Sequence, residues 1–304
     1  MNAQENLASV PRFVHLVADP AYREAAAAAE EVLATLLEKR PRARLAHDLL
    51  CRDPEVNALW QMANYNTVAK LGFNDHGPIH AHLAATAAAQ ILYLLIAAGH
   101  VPDVIRAGAG NVDDAFLVVV MAGLLHDIGN ALHRDKQEDY GLLLARDIVQ
   151  RTLSQIYDDP QKAALVQTFI LAAVASHGTD PQPITLEAGV VAVADATDMS
   201  SGRGRVAFAR GKVDIHAVSA IAIRRVRVLP GTGTRPVAIE IEMTSEAGLF
   251  QVEKTLVRKL RRTPLHHLVA VRACMEEGRD NGRRIIDCVA LAEGDLRPQA
   301  AAAP

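Results

Sequence analysis

Two residues with metal-binding side chains, His126 and Asp127, lie together at the end of the apolar stretch VVVMAGLLHDIGN. A helix from about 114 to 125 would carry no polar side chain on any face, so we expect it to be buried all round. Burying an imidazole and a carboxylate is costly unless their charge is compensated, and a divalent cation compensates it well. The alternative is a capped helix with a hydrogen-bonded His–Asp pair, and the dyad alone supports both interpretations equally. Gly129 is expected to end the helix in the left-handed conformation.

Two further segments offer metal-binding side chains on apolar helices. His80 lies in NDHGPIHAH, where Gly77 and Pro78 indicate the start of a helix. Asp195 lies in TLEAGVVAVADATDM, a predicted helix that is capped by Thr185, and it shares a face with Val and Ala side chains. We do not expect an aspartate in such surroundings to be solvated. Because separate helices of a bundle can direct ligands to one position in its core, the sequence predicts a cation site.

The order of these residues resembles that of a known family. The pattern H…HD…D, with the pair in LLHDIG and the last Asp in VADATDM, is similar to that of the HD-domain superfamily of metal-dependent phosphohydrolases. A closer resemblance, to an HD subgroup that is mostly labelled only as predicted phosphohydrolases, extends through NDHGPIH, HDIGNALHR, TLEAGVVAVADATDM, GRGR, DIHAVSAIAI and MTSEAGLFQ. This resemblance implies that the metal ligands are His80, His126, Asp127 and Asp195.

The number of ions depends on additional histidines. Some members of the superfamily carry extra histidines between HD and the last Asp and bind two ions, which makes His177 and His133 candidate ligands here. The related strings often have His-Glu soon after HR, whereas this chain has Gln137 and Glu138. The alternative for each candidate is an ordinary histidine at a helix end or in a loop. The implied cofactor is Mn²⁺, Fe²⁺, Co²⁺, Zn²⁺ or Mg²⁺, one or two per chain, and the mixed His/carboxylate set suits the first four better.

Hydrolysis of a phosphoester also requires proton transfer and phosphate binding. Asp127 would bridge the ions of a two-metal site, and His76 and His133 are candidates for proton transfer to the leaving group. His76 could instead cap the turn that precedes the helix. Guanidinium groups match phosphate oxygens, although linker arginines are more often simply solvated. The candidate substrate contacts are Arg134, Arg203 and Arg205.

Composition limits the class of protein. The 304-residue chain is 50% hydrophobic but only 4% aromatic, and its net charge of −3 does not call for a nucleic-acid or membrane partner. Three cysteines without ligand-like spacing suit buried free thiols in a reducing cytoplasm, and nothing requires a bond between Cys274 and Cys288. The N-terminus lacks the features of a signal peptide, and the longest apolar run, LAATAAAQILYLLIAA, is short for a membrane span. We expect a soluble, cytoplasmic protein.

The chain is predicted to be mainly α, with an all-helical domain over 1–200, a smaller α+β domain over 205–292 and a disordered tail over 293–304. RVAF, DIHAVSAIAI, VRVL, VAIEIEM, a helix between Leu249 and Arg262, and HLVAVRACM give the order β-α-β-β-α-β of a ferredoxin-like unit, and RIIDCVAL is a further candidate strand. Lys254, Arg258 and Lys259 on that helix are expected to form a solvated basic face.

The leading hypothesis is a metal-dependent phosphohydrolase that cleaves a small-molecule phosphoester, with nucleotides among the candidates, through a metal-activated water. Two alternatives stay open. One is a di-iron HD oxygenase, which some HD proteins are, and the other is a catalytically silent HD sensor that binds a nucleotide. No GxxxxGK[ST], GxSxG or CxxC motif is present, which argues against a P-loop enzyme, a serine hydrolase and a zinc ribbon. Because ferredoxin-like units often pair through their sheets, we expect a homodimer.

Overall fold

A computed structural model describes residues 19–209, 214–276 and 285–299. Its N-terminal part is helical, and its C-terminal part combines helices with a five-stranded sheet, so the predicted all-helical unit and α+β unit are confirmed. The helices are α1 (Pro20–Leu37), α2 (Pro41–Arg52), α3 (Pro54–Asn64), α4 (Pro78–Ala97), α5 (Asp103–Arg106), α6 (Val112–Leu125), α7 (Gln137–Leu153), α8 (Pro160–Ser176), α9 (Leu186–Thr197), α10 (Ser201–Ala209), α11 (Ile215–Ile221), α12 (Gly248–Gln251) and α13 (Arg258–Arg261). The strands are β1 (Ile223–Thr232), β2 (Arg235–Met243), β3 (Val269–Met275), β4 (Cys288–Ala292) and β5 (Asp295–Gln299).

Helix α6 lies at the centre of the helical part. It begins with a capping box, in which the Asn111 side chain accepts from the backbone N–H of Asp114 and the Asp114 carboxylate accepts from that of Asn111. Every side chain from Asp114 to Leu125 is buried, and α2, α4, α8 and α9 pack around the helix. The predicted all-round burial is confirmed, and His126 follows the last residue of the helix directly.

Local signals also place the other two helices of the predicted site. Helix α4 starts at Pro78, after Gly77, and α9 starts after Thr185, whose hydroxyl oxygen accepts from the backbone N–H of Ala188 at 3.2 Å. Both helices pack against α6 and against each other. The side chains that face inward from α4 and α9 therefore converge on the end of α6.

Gly129 does not adopt the left-handed conformation that the sequence suggests. It lies in a 3₁₀ turn, Ile128–Ala131, that follows the His-Asp pair. A Cβ atom at this position would overlap the carbonyl oxygen of Gln137 and the amide nitrogen of Gly141 on α7. Glycine is therefore required because the first turn of α7 packs directly on this backbone, and not because of a positive φ.

The sheet has the strand order β1-β2-β3-β4-β5. β1 and β2 form the predicted antiparallel hairpin, β2 and β3 are parallel, and β3, β4 and β5 are antiparallel neighbours. The parallel pair is connected by α12, a π-helical segment (Val252–Val257) and α13. The ferredoxin-like order is wrong, because RVAF, its predicted first strand, lies in α10. Alternation over four residues does not distinguish a strand from one helical turn.

The end of the chain and two cysteines also differ from expectation. Residues 295–299, which we predicted to be disordered, form β5 and pair with β4 after a turn in which Glu293 and Gly294 both have positive φ. Residues 300–304 of the predicted tail lie outside the described residues. Cys274 and Cys288 face each other on β3 and β4 and form a disulfide, so the prediction of free thiols is wrong for this pair.

Helix α4 is, by length and composition alone, apolar enough to cross a membrane. In the fold, 61% of its most apolar window is buried, and α1, α6 and α9 surround it. A core helix of a folded protein meets the same criteria. We therefore describe α4 as the core helix that the sequence predicts.

Candidate metal centre

The four residues implied as metal ligands meet at one point inside the helical part. His80 comes from α4, His126 and Asp127 follow α6, and Asp195 comes from α9; one donor atom from each lies within 4.8 Å of the others. Nε2 of His80 lies 3.0 Å from Nε2 of His126, 3.1 Å from Oδ1 of Asp195 and 3.2 Å from Oδ2 of Asp127. Both imidazoles are fully buried. The donor atoms therefore converge in a space from which most water is excluded.

Hydrogen bonds at Nδ1 orient the two imidazoles. Nδ1 of His80 donates to Oδ2 of Asp198 at 2.8 Å, and Nδ1 of His126 donates to the carbonyl oxygen of Gly123 at 2.8 Å. A neutral imidazole that donates through Nδ1 carries a lone pair on Nε2. Two neutral imidazoles would therefore turn their Nε2 lone pairs toward each other and toward two carboxylate oxygens. That arrangement is favourable only with a positive charge between them, which is either a proton on Nε2 of His80 or a bound cation that displaces this proton.

The spacing of the donor atoms fits one ion. Ligand atoms about 2.1 Å from an ion lie about 3.0 Å apart at a right angle and about 3.4 Å apart at a tetrahedral angle. Nε2 of His126 lies 3.4 Å from Oδ2 of Asp127 and 3.6 Å from Oδ1 of Asp195, and the distances from His80 are 3.0 to 3.2 Å. These four residues could therefore hold a divalent cation, and two imidazoles with two carboxylates suit Mn²⁺, Fe²⁺, Co²⁺ or Zn²⁺.

The electrostatics of the cluster favour ionised carboxylates. Burial and the charge of Arg203 lower the pKa of His80, but its hydrogen bonds to carboxylates outweigh both and raise that pKa to about 10. Burial opposes the charge of Asp127, yet the neighbouring imidazoles hold its pKa well below the usual range. Burial also raises the pKa of Asp195. The positive charge of Lys259 and the hydrogen bonds to the two imidazoles outweigh burial, so the pKa of Asp195 lies well below its usual range. Both carboxylates are thus held as acceptors.

His177 lies beside this cluster. Its Nδ1 donates to the carbonyl oxygen of Val174 at 2.7 Å, and its Nε2 lies 3.7 Å from Oδ1 of Asp127. The side-chain amide of Gln137 lies 3.0 Å from the same Nε2 and donates to its lone pair. His177 is therefore brought to the site, but a protein group already uses the nitrogen that would bind a second ion.

A cavity of about 410 Å³ opens onto the cluster. Asp127 and Asp195 line it, and so do His76 and Arg134, two residues that the sequence suggested. Nδ1 of His76 donates to the carbonyl oxygen of Asn74 at 2.6 Å, and burial lowers the pKa of this imidazole well below 6.5. His76 is therefore neutral, with its Nε2 lone pair left for a substrate atom or a proton.

Two of the three candidate arginines, Arg203 and Arg134, lie near the cluster. Arg203 is buried, donates to the carbonyl oxygens of Asp75 and Asp198 at 2.8 Å each, and lies 4.0 Å from Oδ1 of Asp195. It is therefore not a solvated linker residue but holds the segment that follows α9. Arg134 lines the cavity and donates to Oδ1 of Asn130 at 3.2 Å.

The structure does not bring the last two candidates to the cluster. Arg205 is exposed, and its Nη1 lies 3.0 Å from Oδ2 of Asp19 at the start of α1. The side chain of His133 is 61% exposed, and its Nδ1 accepts from the backbone N–H of Asp135 at 3.0 Å. His133 lies just after the turn that carries Gly129, and its ring is held away from the cavity by this local hydrogen bond.

Lys259 is a site residue that the sequence analysis missed. We expected it on a solvated face of the late helix, but its Nζ donates to Oδ2 of Asp195 and its side chain is only 16% exposed. It comes from α13, so the α+β unit closes one side of the cavity. Only the packing of this unit on α9 reveals the contact, because nothing in the local sequence distinguishes Lys259 from its basic neighbours.

Tyr22 was also missed. It is buried on α1, and its hydroxyl group donates to Oδ2 of Asp198 at 2.5 Å, the same oxygen that accepts from His80. Asn64 plays a comparable part at the start of α4: it donates to Asp75 at 2.6 Å and accepts from the backbone N–H of His76 at 2.7 Å. These polar side chains fix the groups that orient the candidate ligands.

Comparison with known proteins identifies the family of this chain. The sequence model of the HD domain family matches residues 81–200, which include His126, Asp127 and Asp195. The protein MJ1020 of Methanocaldococcus jannaschii, itself uncharacterized, is 36% identical over 234 residues, which are 77% of this chain and 90% of that protein. No solved structure matches the chain. The chain therefore belongs to the HD domain family, which is part of the superfamily of metal-dependent phosphohydrolases.

Proposed function

We propose that the protein is a phosphohydrolase that cleaves a phosphoester bond of a small molecule, with nucleotides as the first class to test. The observation that carries the proposal is the pair of Nε2 atoms, on His80 and His126, that face each other at 3.0 Å beside two carboxylates. A divalent cation held there supplies a Lewis acid for a phosphoryl oxygen and lowers the pKa of water toward neutrality.

The side chains around the cavity supply the remaining functions. Arg134 and Lys259 line the same cavity as Asp127 and present positive charge to it. Phosphoryl oxygens bind such groups through charge-assisted hydrogen bonds. Lys259, which donates to Asp195 here, is placed to donate to a phosphate oxygen of the substrate as well. His76 accepts or relays a proton through Nε2, because its Nδ1 is occupied by the carbonyl oxygen of Asn74.

One ion per chain fits the contacts better than two. A second ion would need Nε2 of His177, and the amide of Gln137 occupies that nitrogen at 3.0 Å. The orientation of the amide is supported at its other end, where Nδ2 of Asn130 lies 3.4 Å from Oε1 of Gln137. This arrangement also argues against the di-iron oxygenase, which requires the additional histidine as a ligand.

The proposal is tested with purified protein, Mn²⁺ or Co²⁺, and a panel of nucleotides, cyclic dinucleotides and generic phosphoesters. We expect metal-dependent release of phosphate or a phosphomonoester from at least one member of the panel. Asp127→Ala should abolish this activity, whereas Asp147→Asn, an exposed position on α7, should retain it. Equal activity of Asp127→Ala and wild type would refute the mechanism.

The sensor alternative makes a different prediction in the same assay. It predicts tight nucleotide binding without turnover under any metal, whereas the hydrolase predicts turnover. The substrate class and the homodimer are proposals. The cytoplasmic location is a proposal as well, and the cysteines no longer support it, because Cys274 and Cys288 form a disulfide. A dimer through the sheet would use one of its two edge strands, because among the described strands β1 pairs with β2 alone and β5 pairs with β4 alone.

A further inference from the structure

A second group of metal-binding side chains lies outside the cavity. His47 and Cys51 come from α2, and His82 comes from α4; one donor atom of each lies within 4.8 Å of the others. His82 follows His80 by two residues, so the two rings leave α4 about 200° apart. This second group therefore faces α1 and α2, whereas His80 faces α6 and α9, and the two groups cannot share an ion.

The first two donors already have the spacing of a tetrahedral site. His47 and Cys51 are four residues apart on one helix, which places them on the same face. Nε2 of His47 lies 3.5 Å from Sγ of Cys51. With metal–sulfur and metal–nitrogen distances of about 2.3 Å and 2.1 Å, a tetrahedral zinc site separates these atoms by about 3.6 Å.

The histidines are also oriented for binding. Nδ1 of His47 lies 3.3 Å from Oδ1 of Asp48, and this carboxylate keeps the proton on Nδ1 and the lone pair on Nε2. Nδ1 of His82 is buried and has no hydrogen-bond partner among the described residues. The closest carboxylate oxygen, Oε1 of Glu30 on α1, lies 3.8 Å from it. A buried ring nitrogen without a partner is rare in a folded protein unless something else binds there.

We propose that His47, Cys51 and His82 bind a thiophilic divalent cation, with Zn²⁺ as the preferred ion, and that the fourth position is open to water and to Glu30. Thiolate with two imidazoles selects Zn²⁺ or Co²⁺ over Mg²⁺ and Ca²⁺. The ion would tie α2 to α4 on the side opposite His80.

Cobalt substitution separates this site from the catalytic one. Metal-free full-length protein is titrated with Co²⁺ and followed by absorption, because a cobalt–thiolate bond gives an intense charge-transfer band in the near ultraviolet. The four residues of the catalytic cluster, His80 among them, offer only nitrogen and oxygen donors, and Cys51 is the one free thiol of the three cysteines. We expect the band to appear with one equivalent of cobalt at this site and to disappear when Zn²⁺ is added.

Variants identify the ligands. Cys51→Ser should lose the thiolate band but keep the weaker d–d absorption of cobalt at the catalytic site. His126→Ala should keep the thiolate band and lose the d–d absorption that comes from the catalytic site. Asp48→Asn should weaken cobalt binding about tenfold or more, as for other carboxylates that orient a metal-binding histidine. Cys274→Ser/Cys288→Ser is the matched thiol control and should retain the band. Circular dichroism confirms that each variant is folded.

Two results would overturn the proposal. One is a wild-type titration that saturates the d–d absorption without a thiolate band. The other is a band that persists in Cys51→Ser. Neither result bears on hydrolysis, which is measured separately on the same samples, so failure of this site and failure of the proposed function are distinguishable.

Discussion

Nδ1 of His80 lies 2.8 Å from Oδ2 of Asp198, and the hydroxyl group of Tyr22 donates to that same oxygen at 2.5 Å. The carboxylate therefore holds the imidazole in the tautomer that turns the Nε2 lone pair toward the position of the proposed ion. Neither Asp198 nor Tyr22 could bind the ion through these atoms, because both are used in this chain of hydrogen bonds. Their role is to position His80.

Asp198→Asn should weaken binding of the catalytic ion by about 10–100-fold, the effect usual for loss of a carboxylate behind a metal-binding histidine. The amide keeps the size of the side chain but no longer enforces the Nδ1–H tautomer. Isothermal titration of metal-free protein with Mn²⁺ measures the change. Asp158→Asn, at an exposed position, is the control and should bind as wild type does. Equal affinity in Asp198→Asn would show that Asp198 does not orient the ligand.

Lys259→Met should lower kcat/KM on the best phosphoester. Hydrogen bonds to charged groups contribute about 1.5–3 kcal/mol, so the loss of one at the phosphate corresponds to about 10–100-fold. Lys254→Met is the matched control, because Lys254 lies on the same helical segment with its side chain 54% exposed. Steady-state kinetics at saturating Mn²⁺ compare the two. If both variants retain wild-type kcat/KM, Lys259 does not contact the substrate.

Much of the helical site could be predicted because its signals are local. Pro78 after Gly77 and the hydroxyl cap at Thr185 mark the starts of α4 and α9, and the unbroken apolar run of α6 predicts burial on every side. Convergence of His80, His126 and Asp195 then follows from the packing of three helices whose inward faces are apolar.

The parts that could not be predicted depend on contacts between distant segments. Lys259 lies 64 residues after Asp195, and its helix carries other basic side chains with the same local context. Tyr22 lies 176 residues before Asp198, and a tyrosine among alanines on α1 looks like an ordinary apolar anchor. The alternation of RVAF was too short to separate strand from helix, and the turn at Glu293 and Gly294 was not recognised as the start of a return strand.

Gly129→Ala should destabilise the protein and disturb the metal centre together. Its new methyl group would overlap the backbone of Gln137 and Gly141, so α7 must move away from the turn that follows Asp127. Overpacking of this kind costs about 1–3 kcal/mol. Gly141→Ala is the matched control, since its Cβ would meet neighbours at ordinary contact distances of 3.4–3.6 Å. Thermal unfolding and Mn²⁺ titration should show a large effect for the first variant and a small one for the second.

Asp114 should give the helical part a pH-dependent stability. Its carboxylate is fully buried and accepts from the hydroxyl of Tyr157 at 2.6 Å, from the backbone N–H of Asn111 at 2.9 Å and from Arg42. Burial opposes the charge, but these donors outweigh it and lower the pKa of Asp114 below 3.8. Because the folded state holds the proton less tightly than the unfolded state, the stabilisation is present above pH 3.8 and is lost as the pH falls toward the folded-state pKa.

Replacing Asp114 with Asn removes this titration. We expect Asp114→Asn to lower the free energy of unfolding by about 2–3 kcal/mol near pH 7, because charged hydrogen bonds are lost and both Arg42 and Lys162 lose an ion pair with this carboxylate. The difference from wild type should shrink steadily below pH 4, where the wild-type carboxylate becomes protonated. Urea denaturation between pH 3 and 7, in the presence of a chelator so that ion release does not contribute, measures both curves. Asp147→Asn, at an exposed position, should follow the wild-type curve throughout. A constant offset between Asp114→Asn and wild type at all pH values would mean that the carboxylate is not ionised in the folded protein.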